Sequence, residues 1–412
     1  MNATTWSSVA VERMRPSRLL SHTKPVWVAI LVVSAGLNFL EIFNNIRVSF
    51  RVNDFRVYYA AAEVGLRYGW SHIYDASLYY ATLAELRPAG PRYPFQTPAP
   101  IAWLAAPFTL AGYPGAYWFW AVLTVAALGA ALWYARPRQH SAILYLIWLA
   151  ALGPLGWAAW VGNATILVAA AVLVGWRLLE TRRDFLGGAV LAATLFKPHL
   201  VLLLPPALLL TGRWRAVTGF AAAAGAAGIG MLVTLQTEGL RNFLTIVFGF
   251  HPQVVAEDTL GFALGGGPAV VLVQAIVVFA VIVVAVHAGK TRTAWPVVAS
   301  SLLGSFLLTV YWQPQDYLML DVAAAMILAA GPLEMGVLVA AGAAIVSTPM
   351  SPLTNWYPSR EMAIAWLIFA FVVLGFLAAR TLTRPTNASG RPSYGLSIAP
   401  SEAELASIES PP

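Results

Sequence analysis

The sequence predicts an all-α polytopic membrane protein with about twelve transmembrane helices, and three observations carry that expectation. First, 59% of the 412 residues are hydrophobic and only 10% are charged, at a mean hydropathy of +0.70, where a soluble domain carries roughly 25% charged residues. Second, the apolar residues fall in blocks separated by short polar breaks, and about 20 helical residues cross a hydrocarbon core of about 30 Å. Third, Lys and Arg sit in small clusters at the ends of those blocks. A β-barrel would instead show short alternating strands.

Residues 1–25 read as a cytoplasmic segment, since Arg13, Arg15, Arg18 and Lys24 precede an apolar stretch with no small-residue cleavage site. The blocks then predict helices at Val26 to Phe43, Tyr117 to Ala135, Ala142 to Trp160, Ala164 to Trp176, Phe185 to Phe196 and Leu200 to Leu210. Six more are expected at Val217 to Leu235, Ala269 to Val286, Trp295 to Val310, Tyr317 to Ala330, Met335 to Thr348 and Ile364 to Arg380. The whole bundle is thus residues 26–380, and the Ser-, Pro- and Glu-rich residues 381–412 read as a disordered cytoplasmic tail.

The net charge of +7 and pI near 9.7 set topology and do not point to nucleic acid, because the basic residues flank helices. Arg136 and Arg138, then Arg177, Arg182 and Arg183, then Arg213 and Arg215, then Lys290 and Arg292, then Arg380 and Arg384 all fall on one side if twelve helices cross. Residues 44–116 form a long outer loop in this reading. Its apolar stretch 98–111, bracketed by Pro94, Pro98, Pro100, Pro107 and Pro114, is expected to be re-entrant or interfacial. The chain has no cysteine, which excludes disulfides, thiolate catalysis and Cys-ligated metal.

The uncommon polar residues gather on the outer side of this topology. Asp54 precedes an Ala-rich helix and fits either a helix N-cap or a general base held near the membrane, with Arg56, Tyr58 and Tyr59 following. Lys197 and His199, in Phe-Lys-Pro-His, place a cation at the turn of a hairpin with no adjacent carboxylate in sequence; phosphate is one reading and a snorkelling lysine the other. His251 lies in a second outer loop. Trp312, Gln313 and Gln315, with Asp316, are suited to sugar hydroxyls and C–H faces, although Trp and Tyr also decorate interfaces. Glu41 and Asp321 lie near outer helix ends, within reach of a structural pairing with Arg47 or Arg56. Walker, dinucleotide, zinc-pair, nucleophile-elbow and Asp-x-Asp motifs are missing. A transferred group would therefore arrive through the lipid phase.

Asp54 follows the first helix, and after it come Tyr-Tyr-Ala-Ala-Ala at 58–62, Ile-Tyr-Asp at 73–75, Tyr-Pro-Phe-Gln-Thr-Pro at 93–98, Ala-Pro-Phe at 106–108, and Lys-Pro-His at 197–199 opening a run that ends in Arg-Trp-Arg. This order of motifs resembles glycosyltransferase family 87, whose members are of the GT-C type and use polyprenol-phosphate-mannose. It implies a GT-C-type bundle with a helical first outer loop, seated in the cytoplasmic (inner) membrane of the cell with its active site on the outer face. It also implies an inverting hexosyl transfer, of mannose by expectation, from a polyprenyl-phosphate donor to a glycan or glycolipid acceptor; no cofactor is expected, because the carrier phosphate leaves without a metal if a cation takes its developing charge. Asp54 takes the place of the base, and Lys197 that of the donor-phosphate residue; Arg56 is a second cation suited to the donor phosphate. Tyr58, His199, His251, Trp312, Gln313 and Gln315 are candidate substrate contacts. Gln-Pro-Gln-Asp-Tyr at 313–317 departs from the family pattern, which leaves the acceptor and the sugar open. A secondary transporter, a lipid-linked oligosaccharide polymerase or ligase, and a non-catalytic assembly partner are the rival readings.

Overall fold

The computed structural model describes residues 29–40, 43–44, 54–86, 93–137, 142–249, 259–309, 311, 313–347 and 360–383. The N-terminal segment, Glu41, Arg47, His251, Trp312, the stretch 348–359 and the tail from residue 384 lie outside them. Every element among the described residues is helical, with no strand.

Helix α1 is Ala29–Leu40. The outer loop holds α2 (Phe55–Tyr68) and α3 (Ala76–Leu86), followed by α4 (Pro100–Ala105), a 3-10 turn over Ala106–Ala111, and α5 (Gly112–Ala135). The two-part α6 (Ala142–Ala150) and α7 (Gly153–Val161), broken at Gly153 and Pro154, lead to α8 (Thr165–Glu180). A hairpin follows, from α9 (Asp184–Leu191) through 3-10 turns around Lys197 to α10 (Leu204–Leu210). The remainder is α11 (Trp214–Gly249), α12 (Pro268–Thr291), α13 (Trp295–Leu308), α14 (Leu318–Ala330), α15 (Leu333–Ser347) and α16 (Arg360–Thr383).

Among the described residues, four helices are long and apolar enough to cross a membrane: Pro100–Ala135, Trp214–Gly249, Pro268–Thr291 and Ala363–Leu382. Proline breaks two of the apolar stretches into shorter helices, at Pro154 and at Pro198. Two of the long ones are themselves broken. Gly112, at φ +64°, separates the 3-10 turn from α5. Gln236, at φ +56°, divides α11 where the sequence predicts a helix end at Leu235. The residues after it return to helix, against the expectation of a loop there, and lie along the outer-loop layer, with Phe243 5.0 Å from the Tyr74 ring.

The expected outer loop is a packed layer with its own core. Phe55 is fully buried and stacks on Trp120 at 5.2 Å, and Tyr74 stacks on Phe95 at 5.2 Å. Each such buried aromatic contributes about 1.5–3 kcal/mol through lost apolar exposure. A larger core runs through α5 to α10 and α12 to α16. Within it, α9 and α11 touch backbone to backbone: a Cβ on Gly188 would lie 1.8 Å from the Ala216 carbonyl oxygen, the close approach that small residues permit between helices.

Polar contacts tie the helix ends into two groups. At one end, Arg213 donates to Asp184 (2.7 Å), to the Leu179 carbonyl (3.0 Å) and to the Arg292 carbonyl (2.7 Å). Glu180 there accepts from the backbone of Ala294 (3.0 Å) and Trp295 (2.8 Å). Because Asp184 and Arg213 meet, α9 and α10 form a true hairpin whose tip, Lys197, is roughly 22 Å away along each arm. The N-terminus of α8 lies at the tip end too, about 24 Å from Glu180 for a helix of that length.

Candidate active site

The tip end is assembled by the turn between α7 and α8. Gly162 adopts φ +64°, and a Cβ there would meet the Phe55 Cβ at 2.9 Å, so only glycine lets the chain turn this close to α2. Helix α5 holds the turn in place: Trp120 Nε1 donates to the Gly162 carbonyl at 2.8 Å, and the Tyr117 hydroxyl donates to the Trp160 carbonyl. The Asp54 backbone N–H in turn bonds the Val161 carbonyl at 2.8 Å. Asp54 therefore occupies the N-cap position of α2 without capping it. Its backbone is α-helical (φ −71°, ψ −27°) and its side chain makes no cap bond.

The carboxylate points to a different group of residues. Asp54 Oδ2 accepts from Asn163 Nδ2 at 2.5 Å and from Gln315 Nε2 at 3.1 Å, and the same Gln315 amide donates to Gln313 Oε1. Asn163 Oδ1 is taken by the Thr165 backbone N–H (2.9 Å) and faces the Thr165 hydroxyl at 2.8 Å. That hydroxyl also lies 2.8 Å from Asp316 Oδ1 and accepts from Lys197 Nζ at 3.1 Å. With one proton for two acceptors, Thr165 links the Asp54 side of the site to the Asp316 side. The Tyr58 hydroxyl closes the inner wall, accepting from the Ala164 N–H at 3.3 Å.

Lys197 does have a carboxylate partner, contrary to what its sequence neighbours suggest: Nζ lies 2.5 Å from Oδ1 of fully buried Asp316. His199 Nε2 is 3.8 Å from Asp316 Oδ2, too long for a hydrogen bond, and His199 Nδ1 meets the Tyr311 hydroxyl at 3.3 Å. Burial alone would push the Asp316 carboxyl up, but Lys197 and His199 together hold it below the usual carboxylate range. Asp54 is shifted the other way. Burial raises it above its ordinary 3.8, against the opposing pull of the Asn163 bond and the Lys197 charge. Of the two carboxylates, only Asp54 keeps part of its surface accessible, whereas Asp316 has none.

Of the residues singled out in the sequence, Asp54, Tyr58, Lys197, His199, Gln313 and Gln315 come together here. Arg56 is buried on α2, with its charge felt at the Tyr79 hydroxyl. Asp321 is buried in α14 and, among the described residues, meets Ser347 at 3.4 Å instead of an arginine. The sequence does not single out Asn163, Thr165 or Tyr311, and it offers Asp316 only as a sugar contact. The visible signal for the first two was Gly-Asn-Ala-Thr at a helix start, a pattern common to any Asx turn.

A model of glycosyltransferase family 87 matches residues 95–314, a little over half of the chain. The chain belongs to glycosyltransferase family 87. No curated protein and no solved structure matches it. The family assignment bears out the resemblance seen in the motifs and makes the chain a membrane glycosyltransferase. Within this family 87 enzyme the matched stretch carries Asn163, Thr165, Lys197, His199 and Gln313, and the cluster it forms is completed by Asp54 and by Gln315 and Asp316 from outside the match.

Proposed function

We propose that this family 87 enzyme transfers a hexose, mannose being the expected sugar, from a polyprenyl-phosphate carrier to a hydroxyl of a glycan or glycolipid, with inversion and with Asp54 as general base. The observation that carries the reading is the placement of Asp54: a half-buried residue whose carboxylate is raised by burial and held by Asn163 and Gln315, in the same group as the Lys197 ammonium. A raised carboxyl is a better proton acceptor than an ordinary one.

In the reaction, the acceptor O–H proton passes to Asp54 as its oxygen bonds the anomeric carbon. The bond from that carbon to the carrier phosphate breaks, and its electron pair leaves on the phosphate oxygen. A single carboxylate suffices for inversion, since retention needs a second as nucleophile. Lys197 stabilises the leaving phosphate: Asp316 and Thr165 engage two of its three N–H groups and orient the third. Gln313 and Gln315 offer amide forks for sugar hydroxyls, and His199, His251, Trp312 and Tyr58 remain candidate contacts; Arg56 is a second cation for the donor.

The same proposal places the protein in the cytoplasmic membrane as a twelve-helix GT-C-type bundle with residues 98–111 re-entrant. Both termini are cytoplasmic and the site lies at the outer face. Support comes from the separation of the Arg213 and Glu180 contacts from the Asp54 and Lys197 cluster at opposite ends of α8 and the hairpin, with basic ends facing the cytoplasm. The test is transfer from radiolabelled polyprenyl-phosphate mannose by purified protein in lipid. Wild type should transfer label, and Asp54→Asn should not, at equal expression; full turnover in Asp54→Asn would overturn the mechanism.

A further inference from the structure

The end of the bundle remote from Asp54 holds a cavity of about 490 Å³ lined by Arg182, Arg213, Arg215 and Arg292, with one acid, Asp184, and with Trp214 on its wall. We propose that this cavity is a binding site for a phosphate ester, the headgroup of an anionic membrane lipid. The inference does not depend on the reaction at the other end.

Flanking arginines that orient helices need only face the right side of the membrane, and that requirement does not gather them round a common space. Here four arginines from three separate connections converge, and the single carboxylate neutralises one of them. Arg213 is the committed one: buried, it donates to Asp184 and to the Leu179 and Arg292 carbonyls, and so builds the wall. Arg182, Arg215 and Arg292 remain exposed, an excess of three positive charges with guanidinium forks that match phosphate oxygens.

The backbone at the cavity is held in an uncommon form. Arg182 and Arg292 sit at φ +63° and +56°, two of the three non-glycine residues with positive φ among those described. Such angles persist where the surroundings over-determine them, and Arg213 supplies that constraint at Arg292 through its carbonyl. A lipid source is favoured over free phosphate by Trp214, which is 64% exposed between Arg213 and Arg215. Exposed tryptophan beside basic residues is suited to headgroup level.

The test is native mass spectrometry of the purified full chain in detergent, titrated separately with phosphatidylglycerol, phosphatidylcholine and inorganic phosphate. Wild type should retain phosphatidylglycerol in preference to phosphatidylcholine, and Arg182→Gln with Arg215→Gln should weaken that retention roughly tenfold or more. Arg292→Gln alone should weaken it in the same direction, since the contact to Arg213 uses the Arg292 carbonyl and survives. Arg136→Gln, a half-buried arginine outside the cavity, is the charge-matched control for Arg292→Gln and should leave retention unchanged. Displacement of the lipid by millimolar inorganic phosphate would show that the bare phosphate group is what the arginines read; Arg-dependent retention that phosphate does not displace would show the intact headgroup as the ligand. Retention within twofold of wild type in the double variant, an equal loss in Arg136→Gln, or equal retention of phosphatidylcholine would overturn the proposal.

Discussion

Replacing Asp316 by Asn tests how the site is held together. The substitution keeps the shape of the side chain and removes its charge, leaving the Lys197 ammonium without the carboxylate 2.5 Å away. Asp316 is fully buried and the Lys197 side chain nearly so, so solvent does little to compensate. Removing one partner of a buried pair costs about 3–5 kcal/mol, whereas replacing both by apolar residues of similar volume is often close to neutral. Asp316→Asn should therefore lower the apparent unfolding temperature by several degrees, while Lys197→Met with Asp316→Leu should recover most of that loss and still transfer no sugar. Both are read by thermal unfolding in detergent, followed by tryptophan fluorescence, alongside the transfer assay. If Asp316→Asn unfolds with wild type, the pair does not carry the electrostatics assigned to it. If the double variant transfers sugar at the wild-type rate, Lys197 is not the residue that stabilises the leaving phosphate.

The other expected outcomes concern Asp54 and the packing around it. Because its carboxyl is raised, kcat/KM should rise with pH through a limb above the ordinary 3.8 of an aspartate and fall below it; a pH–rate profile checks this. Asn163→Ala removes a bond that holds the Asp54 carboxyl down, so the limb should move to higher pH. Loss of that charge-assisted bond, about 1.5–3 kcal/mol, should also cut kcat/KM by roughly ten- to a hundredfold. Gly162→Ala forces a side chain into a left-handed conformation costing about 1–2 kcal/mol and toward the Phe55 Cβ at 2.9 Å, so both apparent melting temperature and activity should drop. Gly188→Val should prise α9 from Ala216 and abolish stable expression, measured by yield in membranes.

Much of this was legible in the linear chain because apolar blocks and their breaks are local properties. The Lys-Pro-His turn, the helix end at Leu235 and the gathering of Asp54, Lys197 and Gln315 at one end all follow from block boundaries and the side on which arginines lie. What stayed hidden depends on distant parts of the chain. Asp316 reaches Lys197 across 119 positions, and nothing near either residue announces the pairing. Asp54 reads as an N-cap because caps are set by composition; the Val161 carbonyl, which takes its backbone N–H, belongs to another helix. In a chain this apolar, helical periodicity also hardly separates faces turned to lipid from those turned to the core, so the second core beneath the outer layer could not be drawn in advance.

The hairpin α9–α10 has one further consequence. Arms of roughly 22 Å turn back before crossing a hydrocarbon slab of about 30 Å. In the proposed orientation, the Lys197 ammonium sits in a bay recessed several ångströms below the far rim of that slab. For the proposed donor to react there, its phosphate must sink to meet it. An acceptor tethered in the same leaflet descends with little loss of freedom, whereas a free sugar would have to shed its water to follow, and that asymmetry favours a lipid-anchored acceptor.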